Sequence, residues 1–250
     1  MRARGNVGLF TLGVAAEKFD LPHPRIELPV ILVVQRVIDQ AFELLAQRGF
    51  SLNGLKEDEI TAALRGIIEN DLRQNGTVRG FNRKLFEIVT RQQQVENYDL
   101  TKLTKAPDMC FKLRNDEEED RRTLSTHEAL FVECKPVDGD HPMKADYCDR
   151  GLQRFVDGDY AWAMEDALMV GYVRNRRTIA AHLIPAMDAV DRRRLLKTVM
   201  LPGLIVGLGP RTKAGVEALH VSQHRRGFPW VDGKGPATDI RVYHSWHKCD

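Results

Sequence analysis

The sequence is poor in cysteine, in long apolar runs and in net charge, and each shortage excludes a class of protein. Its four cysteines are scattered, and no two have the C-x-x-C spacing of a zinc ribbon or a redox site. The apolar runs at 28–34 and 201–208 contain Pro or Gly and fall far short of the roughly 20 residues of a membrane span. The N-terminus shows no apolar stretch followed by a small-residue cleavage site. We therefore predict a cytoplasmic protein without a membrane segment.

Common catalytic motifs are missing as well. The chain has no G-x-S-x-G sequence of a serine hydrolase, and the glycines near residue 205 fit neither a P-loop nor a G-x-G-x-x-G dinucleotide site. A zinc site is one alternative, because H-x3-H and H-x2-H spacings occur late in the chain. This alternative uses His220, His224, His244, His247 and Cys249. The first pair of histidines would need a helix to share a face, whereas its surroundings are typical of a strand and a loop.

The periodicity of the apolar residues predicts an α/β fold with a central mixed sheet flanked by helices. Helices are expected at 30–45, 56–73 and 180–200, and two more, broken near Gly158, at 147–172. Strands are expected at 84–94, 109–113, 129–137, 218–222 and 240–246, where β-branched and aromatic residues are frequent. The highly charged stretch 115–122 predicts a loop between two strands. A length of 250 residues fits one domain, with a lead-in at 1–50, a core at 55–172 and a helical, basic C-terminal elaboration at 173–250.

Positive charge is concentrated in the C-terminal part of the chain. The formal net charge of the whole chain is only +2, but residues 174–226 carry 11 Lys or Arg against three acids, a net charge of +8. Such a segment can follow a phosphate backbone, although ordinary solvated helix faces have the same composition. The candidate nucleic-acid-binding residues in this segment are Arg192, Arg193, Arg194, His224 and Arg225.

Two predicted strands carry acids in an order that suggests chemistry. Asp108 begins one strand after Pro107, and Glu133 and Lys135 are two residues apart on another. Alternation along a strand points the side chains of Glu133 and Lys135 to the same face. The two carboxylates, with the backbone carbonyl of Cys134, could hold a divalent cation, and the ammonium could orient a nucleophile or offset charge in the transition state. This set of groups meets the needs of metal-assisted phosphodiester hydrolysis.

The combination of Pro107-Asp108 with Glu133-Cys134-Lys135 resembles the PD-(D/E)xK signature of the restriction-endonuclease-like nuclease superfamily. The order of elements over residues 55–172 is similar to that superfamily too, with a leading helix, strands that bear the acids and a helix after the E-x-K strand. The resemblance implies a restriction-endonuclease-like core and hydrolysis of DNA, with Asp108, Glu133 and Lys135 as catalytic residues. It implies Mg²⁺ as the cofactor, for which Mn²⁺ can substitute.

The resemblance also implies a further metal-binding acid on the leading helix. Glu57 lies on the apolar stripe of that helix and is the first choice, and Glu59, at the edge of the stripe, is the second. Both acids could equally complement the positive end of the helix dipole. The segment 150–161 resembles a helix and break of bacterial defence-type nucleases, and it places Gln153 and Arg154 where they could reach a phosphate.

Two functions are compatible with these residues. The first is a Mg²⁺-dependent endonuclease that acts on DNA, with RNA left open as a substrate, in bacterial anti-phage defence. The second is a catalytically silent nucleic-acid-binding or scaffold subunit that keeps the fold within a larger defence complex. A homodimer or a partner from such a complex fits either function.

Overall fold

The computed structural model of the chain describes residues 21–114, 126–205, 218–230 and 235–249. Within these ranges the strands form one mixed sheet and are β1 (Phe86–Arg91), β2 (Met109–Leu113), β3 (Ala129–Val137), β4 (Asp166–Val173), β5 (Thr198–Leu204), β6 (His220–His224) and β7 (Ile240–Lys248). Their order across the sheet is β1-β2-β3-β4-β7-β6-β5. The prediction of an α/β fold with a central mixed sheet is therefore confirmed.

The middle of the sheet is parallel and its two sides are antiparallel. Strand β4 pairs in parallel with β3 and with β7, whereas β1, β2, β5 and β6 run antiparallel to their neighbours. Every residue of β4 is buried, as is typical of a strand that is covered on both faces. The register aligns Glu133, Met169 and His244 as one row across β3, β4 and β7. Because paired residues point to the same side, this row lies on a single face of the sheet.

Helices cover both faces of the sheet. The helical elements are α1 (Leu28–Gln47), α2 (Glu57–Ile67), π1 (Ile68–Leu72), α3 (Arg73–Asn75), π2 (Met143–Leu152), α4 (Gln153–Val156), π3 (Ile179–Leu183), α5 (Ile184–Asp188) and α6 (Val190–Leu195). Phe42 of α1 stacks on His247 of β7, with ring centroids 4.5 Å apart. Tyr147 of π2 contacts His244 of the same strand at 3.0 Å. Since side chains alternate along a strand, these two contacts lie on opposite faces.

Several elements form close to where the sequence predicts them. The helices expected at 30–45 and 56–73 are confirmed, the second with a π-helical turn at Ile68–Leu72. The strands expected at 84–94, 109–113, 129–137, 218–222 and 240–246 are confirmed as β1, β2, β3, β6 and β7. The helix predicted at 180–200 forms only in its first part, because residues 198–200 belong to β5. The C-terminal part is therefore not the helical elaboration expected, since β5, β6 and β7 belong to the central sheet. The loop expected at 115–122 and the start of the lead-in lie outside the described residues.

The prediction of two helices at 147–172 is wrong for its second half. Residues Asp166–Val173 form strand β4, after the helical segment ends near Gly158, where φ is +71°. A strand that is buried on both faces is apolar at successive positions and shows no period of two, so its pattern is easily read as a buried helix. Gly171 shows how closely β4 is covered, because a Cβ atom there would lie 2.5 Å from Cδ1 of Trp246.

The cysteines and helices of the described chain carry no sign of a disulfide or a membrane span. Cys110, Cys134, Cys148 and Cys249 are all buried, and none of the four is in a disulfide. Burial raises the pKa of the Cys110 and Cys148 thiols to about 12, so these side chains behave as small apolar residues. Within the ranges described above, no helix is long and apolar enough to cross a membrane.

Candidate active site

The candidate site lies at the start of strand β2, beside the longer strand β3. Met109 of β2 pairs with Val132 of β3, and β3 continues to Val137. Asp108 immediately precedes β2, and its Oδ2 atom accepts a 2.6 Å hydrogen bond from the backbone N–H of Cys134. The carboxylate thus satisfies a backbone group of β3 at the point where strand pairing stops. This arrangement places Asp108 beside the E-x-K residues of β3.

Lys135 is at the centre of the site. Its Nζ atom donates hydrogen bonds of 2.8 Å to Glu57 Oε1 and 2.8 Å to the Cys134 carbonyl. The same atom lies 2.9 Å from Glu133 Oε1 and 3.8 Å from Asp108 Oδ2. Only 9% of the lysine side chain is exposed. Three carboxylates and one carbonyl oxygen therefore surround a single buried ammonium.

Glu133 is fully buried, and both of its carboxylate oxygens have partners. Arg154 donates a 2.8 Å hydrogen bond to Oε1, and the hydroxyl of Tyr160 donates to Oε2. Burial, reinforced by repulsion from Asp108, raises the pKa of Glu133 from its ordinary 4.5 to about 7, although Lys135 and Arg154 act in the opposite direction. A carboxyl group that titrates near neutral pH among charged partners is typical of functional sites.

The other charged groups of the site show the same competition between burial and charge. Burial raises the pKa of Asp108 and of Glu57, while the ammonium of Lys135 lowers both. Burial by itself lowers the pKa of Lys135, but the surrounding carboxylates outweigh it and the net shift is upward. Lys135 therefore stays protonated at neutral pH. When all three carboxylates are ionised, they face two cations, Lys135 and Arg154, and the cluster carries one net negative charge. Protonation of Glu133, whose pKa is raised to about 7, makes the cluster neutral.

The helical segment of π2 and α4 brings Arg154 to Glu133. Gly151 allows this segment to pack closely on the sheet, because a Cβ atom there would lie 2.8 Å from Met169 Cε and 3.3 Å from Lys135 Cγ. Arg154 follows in α4, and 36% of its side chain is exposed. The close packing explains how a partly exposed guanidinium reaches a carboxylate that has no exposed surface.

The two acids considered for the leading helix have different contacts. Glu57, the first residue of α2, reaches Lys135, and 27% of its side chain is exposed. Glu59 instead accepts a 2.8 Å hydrogen bond from the backbone N–H of Lys56 and so caps the start of the helix. The geometry brings Glu57, and not Glu59, to the site.

The residues predicted to contact nucleic acid have varied surroundings. Gln153 bonds to an aspartate four residues later at 2.9 Å. Arg192 and Arg193 each pair with an aspartate, at 3.0 Å and 2.6 Å. Arg193, Arg194 and Arg225 are exposed. The exposed arginines have access to a ligand in solution, whereas Arg154 is engaged by Glu133.

The prediction that His224 contacts nucleic acid is corrected by the structure. His224 is fully buried on β6, and its Nδ1 atom lies 2.9 Å from the carbonyl of Leu196. Two arginines of the basic segment are also internal. Arg174 pairs with Asp138 at 3.4 Å, and Arg226 donates to the carbonyls of residues 161, 162 and 164. The basic surface is therefore smaller than the charge count of residues 174–226 suggests.

Two of the histidines considered for zinc belong instead to a hydrogen-bonded chain. Ser222 Oγ lies 2.8 Å from His224 Nε2 and 2.8 Å from His244 Nε2, and the Tyr147 hydroxyl lies 3.0 Å from His244 Nδ1. Burial lowers the pKa of His224 to about 4 and that of His244 well below its ordinary value, so both rings are neutral at neutral pH. In a neutral His224 ring Nδ1 donates to the Leu196 carbonyl and Nε2 accepts from Ser222, and His244 Nε2 in turn donates to Ser222.

Sequence reasoning missed Tyr160 and the pairing of Arg154 with Glu133. Burial raises the pKa of Tyr160 well above its ordinary value, so its hydroxyl remains a donor to Glu133. Tyr160 follows the break at Gly158, and an aromatic residue next to a helix break is the only signal that the sequence offers for it. Nothing in a separation of 27 residues indicates that Tyr160 and Glu133 meet.

The site offers the types of oxygen ligand that a hard divalent cation prefers. Carboxylates and a backbone carbonyl are the ligands that Mg²⁺ uses in proteins. In the part of the chain that the structure describes, no three His, Cys, Asp or Glu side chains are grouped closely enough to hold a metal ion. The carboxylates are arranged around Lys135 instead, so an ion would compete with the ammonium for the same oxygens. No protein-family model, curated protein or solved structure matches this chain.

Proposed function

We propose that the chain is a magnesium-dependent nuclease that hydrolyses phosphodiester bonds of DNA and has a restriction-endonuclease-like core. The observation that carries this proposal is the convergence of Glu57, Asp108 and Glu133 on Lys135 at the start of β2. A cluster with more carboxylates than cations attracts a divalent ion, and an ammonium beside it can stabilise charge on a phosphate. The resemblance of Pro107-Asp108 and Glu133-Cys134-Lys135 to the PD-(D/E)xK signature supports the same function.

Each residue of the site has a role in the proposed reaction. When bound, Mg²⁺ or Mn²⁺ supplies polarisation of the scissile phosphate and a water molecule of lowered pKa. Lys135 stays protonated among the carboxylates, so we assign it to the stabilisation of negative charge on the phosphate and not to proton abstraction. Tyr160 holds one oxygen of Glu133 and so fixes the direction of the other. The groups proposed to hold the ion are Glu57, Asp108, Glu133 and the carbonyl of Cys134.

The proposed substrate contacts lie on the C-terminal part of the chain and on α4. Arg193, Arg194 and Arg225 are exposed and can approach a phosphate backbone, and Arg154 and Gln153 are on the helix beside the cluster. A homodimer that binds both DNA strands fits such a nuclease. Action in the cytoplasm, in bacterial anti-phage defence, is part of the same proposal.

The experiment is incubation of the purified protein with supercoiled plasmid, linear DNA and RNA in Mg²⁺, in Ca²⁺ and in EDTA. We expect nicked or linear plasmid in Mg²⁺ and none in EDTA. Ca²⁺ should support DNA binding with little turnover, because its looser coordination positions the nucleophile poorly. Cleavage in EDTA equal to that in Mg²⁺ would contradict a metal-dependent reaction, and cleavage of RNA alone would change the substrate.

A catalytically silent nucleic-acid-binding or scaffold subunit is the second candidate function. The observation that favours it is the closure of the site, since the oxygens of Glu133 are already held by Tyr160, Arg154 and Lys135. In that case a partner in a defence complex would have to open the cluster before any reaction. DNA binding without cleavage, under every metal condition above, would favour this function over the nuclease.

A further inference from the structure

Arg154 combines contact with the buried carboxylate and access to solvent. Its guanidinium donates a 2.8 Å hydrogen bond to Oε1 of Glu133, yet 36% of its side chain is exposed. Lys135 contacts the same oxygen at 2.9 Å, but only 9% of its side chain is exposed. A second contact of Arg154, with the hydroxyl of Tyr160, is long at 3.4 Å. The guanidinium is therefore held on one side by a carboxylate and is accessible on the other.

The backbone of Arg154 is fixed, whereas its side chain can turn. The N–H of Asp159 donates a 2.9 Å hydrogen bond to the carbonyl of Arg154, and the next two residues, Phe155 and Val156, are fully buried. A long side chain on a fixed backbone keeps its own rotatable bonds. The guanidinium can thus leave Glu133 without movement of helix α4.

We propose that Arg154 is a charge-exchange residue, which neutralises Glu133 while no divalent ion is bound and turns to a phosphate of the nucleic-acid backbone once an ion has taken its place. This inference rests on the proposed nuclease function and adds an order of events to it. The ion binds first, and the phosphate contact of Arg154 follows. Arg154 is therefore a positioning residue that links the occupancy of the cluster to the binding of substrate.

The charges of the cluster support this exchange. A divalent ion binds carboxylates in their ionised form. Three ionised carboxylates and two cations carry one negative charge, so the ion changes the net charge of the cluster to one positive. Arg154 is the more exposed of the two cations, and moving its charge outward lowers the repulsion. A phosphodiester carries one negative charge, and a guanidinium matches two of its oxygens. The exchange thus leaves each carboxylate and the phosphate with a cationic partner.

The test is the affinity for Mn²⁺ in the absence of nucleic acid, followed by the affinity for a DNA duplex in Ca²⁺. Arg154→Gln keeps a hydrogen-bond donor for Glu133 but removes the charge that competes with the ion. We expect titration calorimetry to show Mn²⁺ binding about five- to tenfold tighter than in the wild type, since one nearby repulsive charge is gone. Mn²⁺ should accordingly raise the thermal midpoint of the variant by more than it raises that of the wild type. Its DNA affinity in Ca²⁺ should fall by about tenfold.

Arg150→Gln is the matched control, because it removes the same charge from the same helical segment one turn earlier. Arg150 is 72% exposed in its side chain and pairs with Asp146 at 2.6 Å, away from Glu133. We expect this variant to bind Mn²⁺ and DNA within about twofold of the wild type. Arg154→Lys keeps the charge, and we expect it to bind Mn²⁺ as the wild type does but to bind DNA more weakly, since an ammonium cannot contact two phosphate oxygens at once.

Weaker or unchanged Mn²⁺ binding by Arg154→Gln would overturn the proposal and leave Arg154 as a structural partner of Glu133. Equal changes in Arg150→Gln and Arg154→Gln would overturn it too, because they would show a general effect of net charge. If the wild type itself binds no Mn²⁺, and neither does Asp108→Asn, the proposed nuclease function fails and the exchange fails with it. Failure of the exchange alone, by contrast, leaves wild-type Mn²⁺ binding and its dependence on Asp108 intact.

Discussion

The sheet carries two buried polar clusters on the same face, separated along one row by Met169 of β4. The acid-lysine cluster consists of Glu57, Asp108, Glu133 and Lys135. The histidine chain consists of His224, Ser222, His244 and Tyr147, and it ends on the carbonyl of Leu196. Both clusters are built from side chains that bind ligands in other contexts, yet they offset the cost of burial differently.

The two clusters differ in the net charge that remains after all their contacts are counted. In the histidine chain every proton has one acceptor, both rings are neutral and no charge remains, so burial is compensated by hydrogen bonds alone. In the acid-lysine cluster burial is compensated by ion pairs, and one negative charge remains after Lys135 and Arg154 are counted when all three carboxylates are ionised. Only the second arrangement contains carboxylate oxygens, which are the ligands that a hard cation prefers. We therefore interpret the histidine chain as structural and the acid-lysine cluster as functional.

Removal of Lys135 should have the largest effect on the proposed reaction. The ammonium acts mainly on the charge that develops in the transition state, so Lys135→Ala should lower turnover by about 10²–10³-fold, with a smaller loss of DNA affinity. Neighbouring carboxyl groups with raised pKa values can take up protons, which limits the loss of folding stability. Cleavage rate and DNA affinity must be measured on the same variant.

Lys135→Arg serves as the conservative companion to this variant. It keeps a positive charge, but a planar guanidinium differs in shape and donor geometry, so turnover should recover only in part. Equal losses of rate and affinity in Lys135→Ala, or no loss in either, would favour the binding-subunit function and would make the acid-lysine cluster structural like the histidine chain.

The two clusters also differ in how far the sequence predicts them. Asp108, Glu133 and Lys135 are recognisable from the sequence for two reasons. A short motif marks Asp108 and Glu133 as candidate acids, and strand alternation places Glu133 and Lys135 on the same face. Tyr160 and the contact of Arg154 with Glu133 arise from the packing of π2 and α4 on the sheet, which no local pattern encodes.

The histidine chain and strand β4 show the same limit of sequence reasoning. The spacing of His220 and His224 suggests ligands, whereas the burial that keeps His224 neutral depends on tertiary packing, as do its contacts with Ser222 and Leu196. The sequence of strand β4 resembles that of a helix because a strand that is buried on both faces loses its alternation. Local periodicity in the sequence thus predicts neither contacts between distant residues nor the burial of a strand on both faces.

Ser222→Ala should destabilise the fold without affecting the proposed reaction. The substitution leaves Nε2 of His224 and Nε2 of His244 without their shared partner in the interior, which should cost about 1–3 kcal/mol in the free energy of unfolding. Urea denaturation measures this loss, and the cleavage rate per folded molecule should stay at the wild-type level. A selective loss of cleavage in a folded Ser222→Ala protein would break the distinction between the two clusters.

The pH dependence of stability should carry the signature of Glu133. Its pKa rises from 4.5 in the unfolded chain to about 7 in the fold, so the folded state binds the proton more tightly. The contribution of this group is complete below pH 4.5 and is lost as the pH rises through about 7. Glu133→Gln cannot ionise, and its stability relative to the wild type should therefore increase between about pH 5 and pH 8 in EDTA.

Buried histidines act in the opposite sense, because the pKa of His224 falls to about 4 and its contribution grows as the pH rises through the acidic range. For this reason the difference between Glu133→Gln and the wild type, and not either curve alone, isolates the glutamate. A difference that stays constant across this pH range would show that Glu133 is ionised throughout.

Exposed arginines should have the smallest effect on the fold. Replacing Arg193 and Arg194 with Ala should change the free energy of unfolding by less than about 1 kcal/mol, since both side chains are exposed and the Arg193–Asp188 pair is at the surface. DNA affinity should fall, and its salt dependence should flatten by about one unit of slope for each phosphate that the variant no longer neutralises. An unchanged salt dependence of DNA affinity would show that these residues are solvated surface charges that do not contact DNA.

The most direct test of the central claim compares plasmid cleavage by the wild type and by Asp108→Asn in Mg²⁺, at equal concentrations of folded protein. Asparagine keeps an oxygen that can accept from the N–H of Cys134, so the start of β2 should remain intact while one anionic ligand is lost. We predict conversion of supercoiled plasmid by the wild type and a rate at least about 10²-fold lower for Asp108→Asn. Equal rates for the two proteins would contradict the assignment of the acid-lysine cluster as a metal-dependent nuclease centre.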